Sequence, residues 1–138
     1  MTAARSLMTT DDQPTVIDAD HLGRMTLGDR RLEREILELF VRQTTLMLER
    51  IAGAQPPSAA AAAHTLKGSA RGIGAWRVAR AAELLEQAAG GEGGDAGDAG
   101  DRPDLAEAIA ELKAASLEAS AAIGSRLTQL FAEARRDR

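Results

Sequence analysis

Ala60-Ala61-Ala62-Ala63-His64-Thr65-Leu66-Lys67-Gly68-Ser69-Ala70-Arg71-Gly72-Ile73-Gly74 reads as a helix with two unlike faces. Alanine is the strongest helix former. At about 100° per residue, Ala59, Ala62, Leu66, Ser69, Ala70 and Ile73 gather on one side of the wheel. His64 falls opposite their centre, and Lys67, Gly68 and Arg71 follow at helical spacing on its own face. The stretch therefore predicts a helix from Ala59 to Gly72 that buries one side and presents an imidazole on the other.

Upstream, Leu32, Ile36, Leu39, Phe40, Thr44, Met47 and Ile51 recur at three- and four-residue steps, which predicts a long helix from Arg30 to about Gly53 with those residues inward. Pro56-Pro57 enforces its end, and Ser58 is placed to cap the helix that follows. Further back, Asp18 can cap a short helix with Leu22 and Met25 inward, closed by Gly28-Asp29. Residues 1–14 are polar and aperiodic and read as a disordered tail.

Downstream, Gly72-Ile73-Gly74 is a short break, and Trp76 to Ala89 resumes as a helix with Val78, Ala81, Ala82, Leu85 and Ala89 inward. Residues 90–101 are Gly- and Asp-rich and read as a flexible acidic loop. Their glycine spacing resembles one copy of a calcium-binding nonapeptide, but Gly97 stands in the aliphatic slot, so a linker is the better reading. Pro103-Asp104 opens the last helix, whose inward stripe is Leu105, Ile109, Leu112, Ser116, Ala119, Ile123, Leu127 and Leu130, with Gly124 inside it. Residues 134–138 read as a charged tail. Four amphipathic stripes are buried most economically in an all-α, antiparallel up-down four-helix bundle. Residues 15–133 are expected to form it, with the short N-terminal helix as an extra element.

The bulk composition agrees. A chain of 138 residues suits one domain. It is 44% hydrophobic, much of that alanine, and its aromatic residues are Phe40, Trp76 and Phe131, which favours helices over strands. A net charge of −4 argues against nucleic acid as a partner. With no cysteine there can be neither disulfides nor thiolate chemistry, and a reducing cytoplasm is compatible. No apolar run approaches the ~20 residues of a membrane span, and the first fourteen residues contain no apolar signal core. A cytoplasmic location with no membrane partner is expected.

The familiar enzyme patterns are missing. There is no Gly-rich loop ending in Lys-Ser/Thr, no nucleophile elbow, and no His-x-x-x-His or Glu-x-x-His pair for a metal in a bundle. His21 and His64 are far apart in sequence, so no metal or cofactor is expected. A neutral imidazole can attack a phosphoryl group through a ring nitrogen. The negative oxygens of the product need positive partners, which Lys67 and, a turn further on, Arg71 can supply. Gly68 removes bulk beside the ring, and a glycine inside a helix costs about 1 kcal/mol relative to alanine, so access for a bulky partner is a reason to have it. Ser69 and Arg71 are further candidates for contact with phosphate or partner. Nothing in the chain is set to bind ATP or activate a donor, so His64 reads as an acceptor that needs a partner to complete the chemistry.

Ala63-His64-Thr65-Leu66-Lys67-Gly68-Ser69, followed by Gly74-Ala75 and Leu85-Glu86, resembles the histidine-containing phosphotransfer (HPt) domain of bacterial multistep phosphorelays. Asp18 through Leu22, Gly28-Asp29 and Leu39-Phe40 fit the same pattern, so the resemblance runs over about residues 15–131. It implies His64 as the phosphorylated residue, Lys67 as the phosphate-neutralising cation and Gly68 as the small residue that gives access. Its implied partners are receiver domains of a hybrid histidine kinase and of a response regulator. Each would bring an aspartate and Mg²⁺ and dock on the two helices around His64. The protein would be a phosphocarrier and not an enzyme, passing a phosphoryl group between receivers, and is expected to be a monomer. The alternative is a helical adaptor or kinase inhibitor that docks through the same surface without being phosphorylated. Arg71-Gly72 departs from the family's usual small or amide-bearing residues, and the Gly/Asp loop is longer than usual. The module at the start of chemotaxis kinases shares His-x-x-Lys-Gly, but the sequence encodes no ATP-binding domain, which excludes a complete kinase for this chain.

Overall fold

The computed structural model describes residues 16–90 and 104–136. The tail at 1–14 and nearly all of the loop at 90–101 lie outside them. The described residues form five helices and no strand: α1 (Ala19–Met25), α2 (Arg30–Ala52), α3 (Pro56–Ile73), α4 (Trp76–Ala88) and α5 (Leu105–Arg136). Among them no helix is long and apolar enough to cross a membrane. α3 packs between α2 and α4, α5 packs against both α2 and α4, and α1 lies on α3. The shared core includes Leu37, Phe40 and Ile51 of α2, Leu66 of α3, Leu85 of α4, and Leu112 and Ile123 of α5.

The facing surfaces of α3 and α4 are built from small residues. Ala59, Ala63 and Ala70 of α3, and Ala79, Ala81 and Ala82 of α4, are all buried. Small side chains let helix backbones approach closely, so polar side chains at the edge of the seam can bond across it.

α1 is fixed at the α3–α4 turn by one residue. Asp18 caps α1, its Oδ1 accepting from the His21 backbone N–H at 3.0 Å. Its own N–H donates to the Gly74 carbonyl at 3.0 Å, and its Oδ2 accepts from the Trp76 indole N–H at 3.0 Å. Gly74 has φ +80°, and a Cβ there would stand 2.8 Å from the Cβ of Asp18. Both the left-handed backbone and the close approach require glycine. The Trp76 hydrogen bond, more than any other influence, holds the Asp18 carboxyl below its ordinary pKa.

Several expectations need correction. In α2 the buried set is Glu33, Leu37, Phe40, Thr44, Met47 and Ile51. Leu32 and Leu39 are exposed, and Ile36 is only half-buried. The physical reason is Glu33. Arg126 of α5 grips it with two hydrogen bonds, 2.6 Å from Nε and 3.0 Å from Nη2, and so makes an acid tolerable on the inward face. The same bonds raise the Arg126 pKa. Met25 is also exposed.

α3 begins at Pro56, three residues earlier than expected. Its prolines occupy the first turn, where no intrahelical N–H is needed, Gln55 takes the cap position, and Ser58 does not. The buried residues of α3 are Ala59, Ala60, Ala63, Leu66, Ala70 and Ile73, with Ala62 and Ser69 half-buried. The expected wheel was turned a little from the true one because the five consecutive alanines Ala59 to Ala63 offer no contrast between inward and outward positions. α4 stops at Ala88, and α5 continues through Arg135 and Arg136, where a charged tail was expected.

Candidate functional site

His64 stands in the middle of α3 with its side chain 62% exposed, on the face that the wheel assigned to it. A partner from the next helix holds its ring. His64 Nδ1 lies 2.8 Å from Glu86 Oε2 of α4. The second oxygen of the same carboxylate accepts from Lys67 Nζ at 2.7 Å. Glu86 is thus a bidentate clasp between α4 and two residues of α3 that are one turn apart.

The electrostatics of the clasp follow from its position. The Glu86 side chain is only 8% exposed. Burial pushes its pKa up, but the hydrogen bonds from Lys67 and His64 outweigh that, and the net result is a carboxyl held below its ordinary range. Near pH 7 Glu86 is therefore ionised and can only accept hydrogen bonds. His64 Nδ1 must then carry the proton and donate it. In the neutral ring this leaves the lone pair on Nε2, a nitrogen with no hydrogen-bond partner among the described residues.

Lys67 is less free than the sequence suggested. Its side chain is 15% exposed and its ammonium rests on Glu86. It neutralises the buried acid and lies one helical turn from the His64 ring. Arg71, expected as a further cation for phosphate, is instead paired with Glu83 of α4, Nη2 to Oε1 at 3.0 Å, with both side chains well exposed. It forms a second α3–α4 bridge, one turn beyond the first.

Gly68 lies on the exposed side of α3, and a Cβ built there meets nothing within 4 Å. No neighbouring helix needs the space, so the missing side chain leaves the surface beside His64 open. Ser69 is not brought into the cluster. It lies about 140° around the helix from His64, is half-buried, and makes no hydrogen bond to His64, Lys67 or Glu86.

Glu86 is the residue that sequence reasoning did not assign to the site. Its signal was present: an acid immediately after Leu85, on the border of the apolar face of α4. His21, the other histidine, packs its ring against Trp76 with centroids 5.0 Å apart, remote from the Glu86 clasp in its contacts. Among the described residues no group of three or more His, Cys, Asp or Glu is placed to hold a metal.

A comparison with curated proteins finds no match. A family model described as the Hpt domain matches residues 35–136. That span covers most of the chain and contains every residue of the clasp, and the chain belongs to the Hpt domain family, the phosphocarriers of two-component phosphorelays.

Proposed function

We propose that this protein is a relay station that accepts a phosphoryl group on His64 Nε2 from the aspartyl phosphate of one receiver domain and returns it to the aspartate of another. The observation that carries this reading is the hydrogen bond from His64 Nδ1 to Glu86. It selects the tautomer whose Nε2 is a nucleophile and points the ring out of the bundle. In the forward step the Nε2 lone pair forms a bond to phosphorus as the bond from phosphorus to the aspartate oxygen breaks, and the aspartate leaves as a carboxylate with that electron pair. No proton has to move. Nδ1 keeps its hydrogen, and the positive charge that develops on the ring lies against the Glu86 carboxylate. Such transfers depend on positioning and charge compensation more than on acid–base chemistry.

Lys67 fits the part of phosphate-neutralising cation, because a swing of its ammonium from Glu86 toward the new phosphoryl oxygens exchanges one anion for another. Gly68 fits the part of an opening for the receiver. The Mg²⁺ that supports such transfers belongs on the receiver's own acidic site. A receiver of a hybrid kinase as donor and of a response regulator as acceptor are the partners this chemistry asks for. The cross-helix pairs support an antiparallel, up-down arrangement: His64 and Arg71 of α3 meet Glu86 and Glu83 of α4, and Arg30 and Glu33 of α2 meet Glu133 and Arg126 of α5. In each pair of helices the residue numbers rise on one as they fall on the other.

Incubation with a phosphorylated receiver tests the proposal. The protein should acquire an acid-labile, base-stable phosphate that His64→Gln abolishes. Label that persists in His64→Gln, or no label from any phosphorylated receiver, overturns it.

A further inference from the structure

α2 exposes a row of leucines to which the bundle offers no partner among the described residues. Leu32, Leu39 and Leu46, each seven residues from the next, are 39%, 56% and 53% exposed. On a wheel of about 100° per residue they fall within ~40° of one another, roughly 120° from the centre of the buried stripe. Ile36 and Gln43, both half-buried, lie along one edge of this row. The alternating four- and three-residue steps of Leu32, Ile36, Leu39, Gln43 and Leu46 make the spacing of a coiled-coil seam. The helix thus carries two apolar rows, and the bundle buries only one. Nor does α5 cover the other, since α5 meets α2 through Glu33, Arg30 and Arg34, the last of these over the Phe131 ring.

We propose that a second copy of this chain docks on that row, α2 against α2, antiparallel about a two-fold axis passing beside Leu39. Charge complementarity chooses this occupant. The outer edge of the row carries Arg31, Glu35, Arg42 and Glu49, all exposed. None of them takes part in an ion pair among the described residues. With the axis at Leu39, Leu32 meets Leu46 of the other copy and Leu39 meets itself. At ~1.5 Å rise per residue, Glu35 lies about 6 Å to one side of the axis and Arg42 about 4.5 Å to the other, so an antiparallel partner brings Glu35 alongside Arg42. The same operation sets Arg31 beside Glu49. The face is therefore complementary to itself, leucine to leucine and acid to base, as an interface with two-fold symmetry must be. The row and the Glu86 clasp share no residue, and the inference stands apart from the proposed function.

A seam of three leucines per copy falls short of the ~1,600 Å² of a standard interface, so the dimer belongs to the weak class. Sedimentation velocity of the full chain, from micromolar to several hundred micromolar, is the test. The wild type should show a monomer–dimer equilibrium. Leu39→Glu, at an exposed position that leaves circular dichroism unchanged, should weaken it by about tenfold or more. Glu35→Arg and Arg42→Glu should each weaken it by about three- to tenfold, while the two together restore it. A wild type that stays monomeric throughout overturns the proposal, as does a dimer indifferent to Leu39→Glu or a double charge reversal that fails to rescue. A monomer in which Leu39→Glu abolishes receiver binding instead assigns the row to the receiver and overturns self-association.

Discussion

Glu86 and His64 stand twenty-two residues apart in sequence and 2.8 Å apart in the structure, joined across the α3–α4 seam. The consequence is a choice of tautomer. Glu86→Gln keeps the size of the side chain but can turn its amide NH₂ toward Nδ1. The ring then accepts at Nδ1 and carries its hydrogen on Nε2, where the lone pair is needed. Transfer from a phosphorylated receiver should slow by about tenfold or more, since holding a reactive histidine in the wrong tautomer removes the lone pair it works with. The fold should survive, because Glu86 is one edge residue of a helix whose core is alanine and leucine. Quench-flow transfer rates and the ring ¹⁵N shifts of His64 measure the two effects. An unchanged rate with a changed tautomer removes Nε2 as the nucleophile.

The same carboxylate makes stability depend on pH. Its pKa is lower folded than unfolded, so its contribution is complete above the unfolded value, about 4.3 for an ordinary glutamate, and is lost as pH falls through the folded one. Denaturant titrations of the wild type and Glu86→Gln should therefore show a stability difference that shifts against the wild type as the solution is acidified below about pH 4. A difference that stays flat into acid contradicts an ionised, clasped Glu86.

Gly68 separates stability from function. Since a Cβ there meets nothing, Gly68→Ala should stabilise α3 by up to about 1 kcal/mol through helix propensity alone. If the open surface serves a docking receiver, the same substitution slows transfer, and the bulkier Gly68→Gln slows it further at unchanged or improved thermal stability. Melting curves and transfer rates on the same two variants decide the matter. Variants that are more stable and equally fast assign Gly68 no part in access.

Much of this site was legible in the sequence, and what was not has a common cause. The face of His64, Lys67 and Gly68 follows from helical periodicity, which is a local property of the chain. The cap at Asp18 and the stop at Gly74 follow from local backbone chemistry. Glu86 and Glu33 do not, because a buried acid is allowed only where another helix delivers a cation or a proton donor. Lys67 and His64 come from α3 for the one, and Arg126 comes from α5 for the other. Without that knowledge an acid marks the polar side of a wheel, so Glu33 had no place in the expected inward stripe, while Leu32 and Leu39 did. Arg71 was similarly counted as free for phosphate because its partner Glu83 lies on another helix.

Glu33 and Arg126 also define where the bundle is most easily broken. The Glu33 carboxylate is buried, and Arg126 supplies both of its side-chain hydrogen bonds from α5. Arg126→Ala strands that carboxylate in the interior, at a cost of roughly 2–3 kcal/mol, below the range for a fully buried pair because the arginine is partly exposed. Restoring an apolar inward position should recover most of the loss. Glu33→Leu in the Arg126→Ala background removes the stranded charge and extends the buried stripe of Leu37, Phe40, Thr44, Met47 and Ile51 by one apolar residue. Chemical denaturation of the wild type, the single variant and the double variant tests this. A double variant no more stable than Arg126→Ala would mean that the loss comes from the packing of the arginine stem and not from the charge of Glu33.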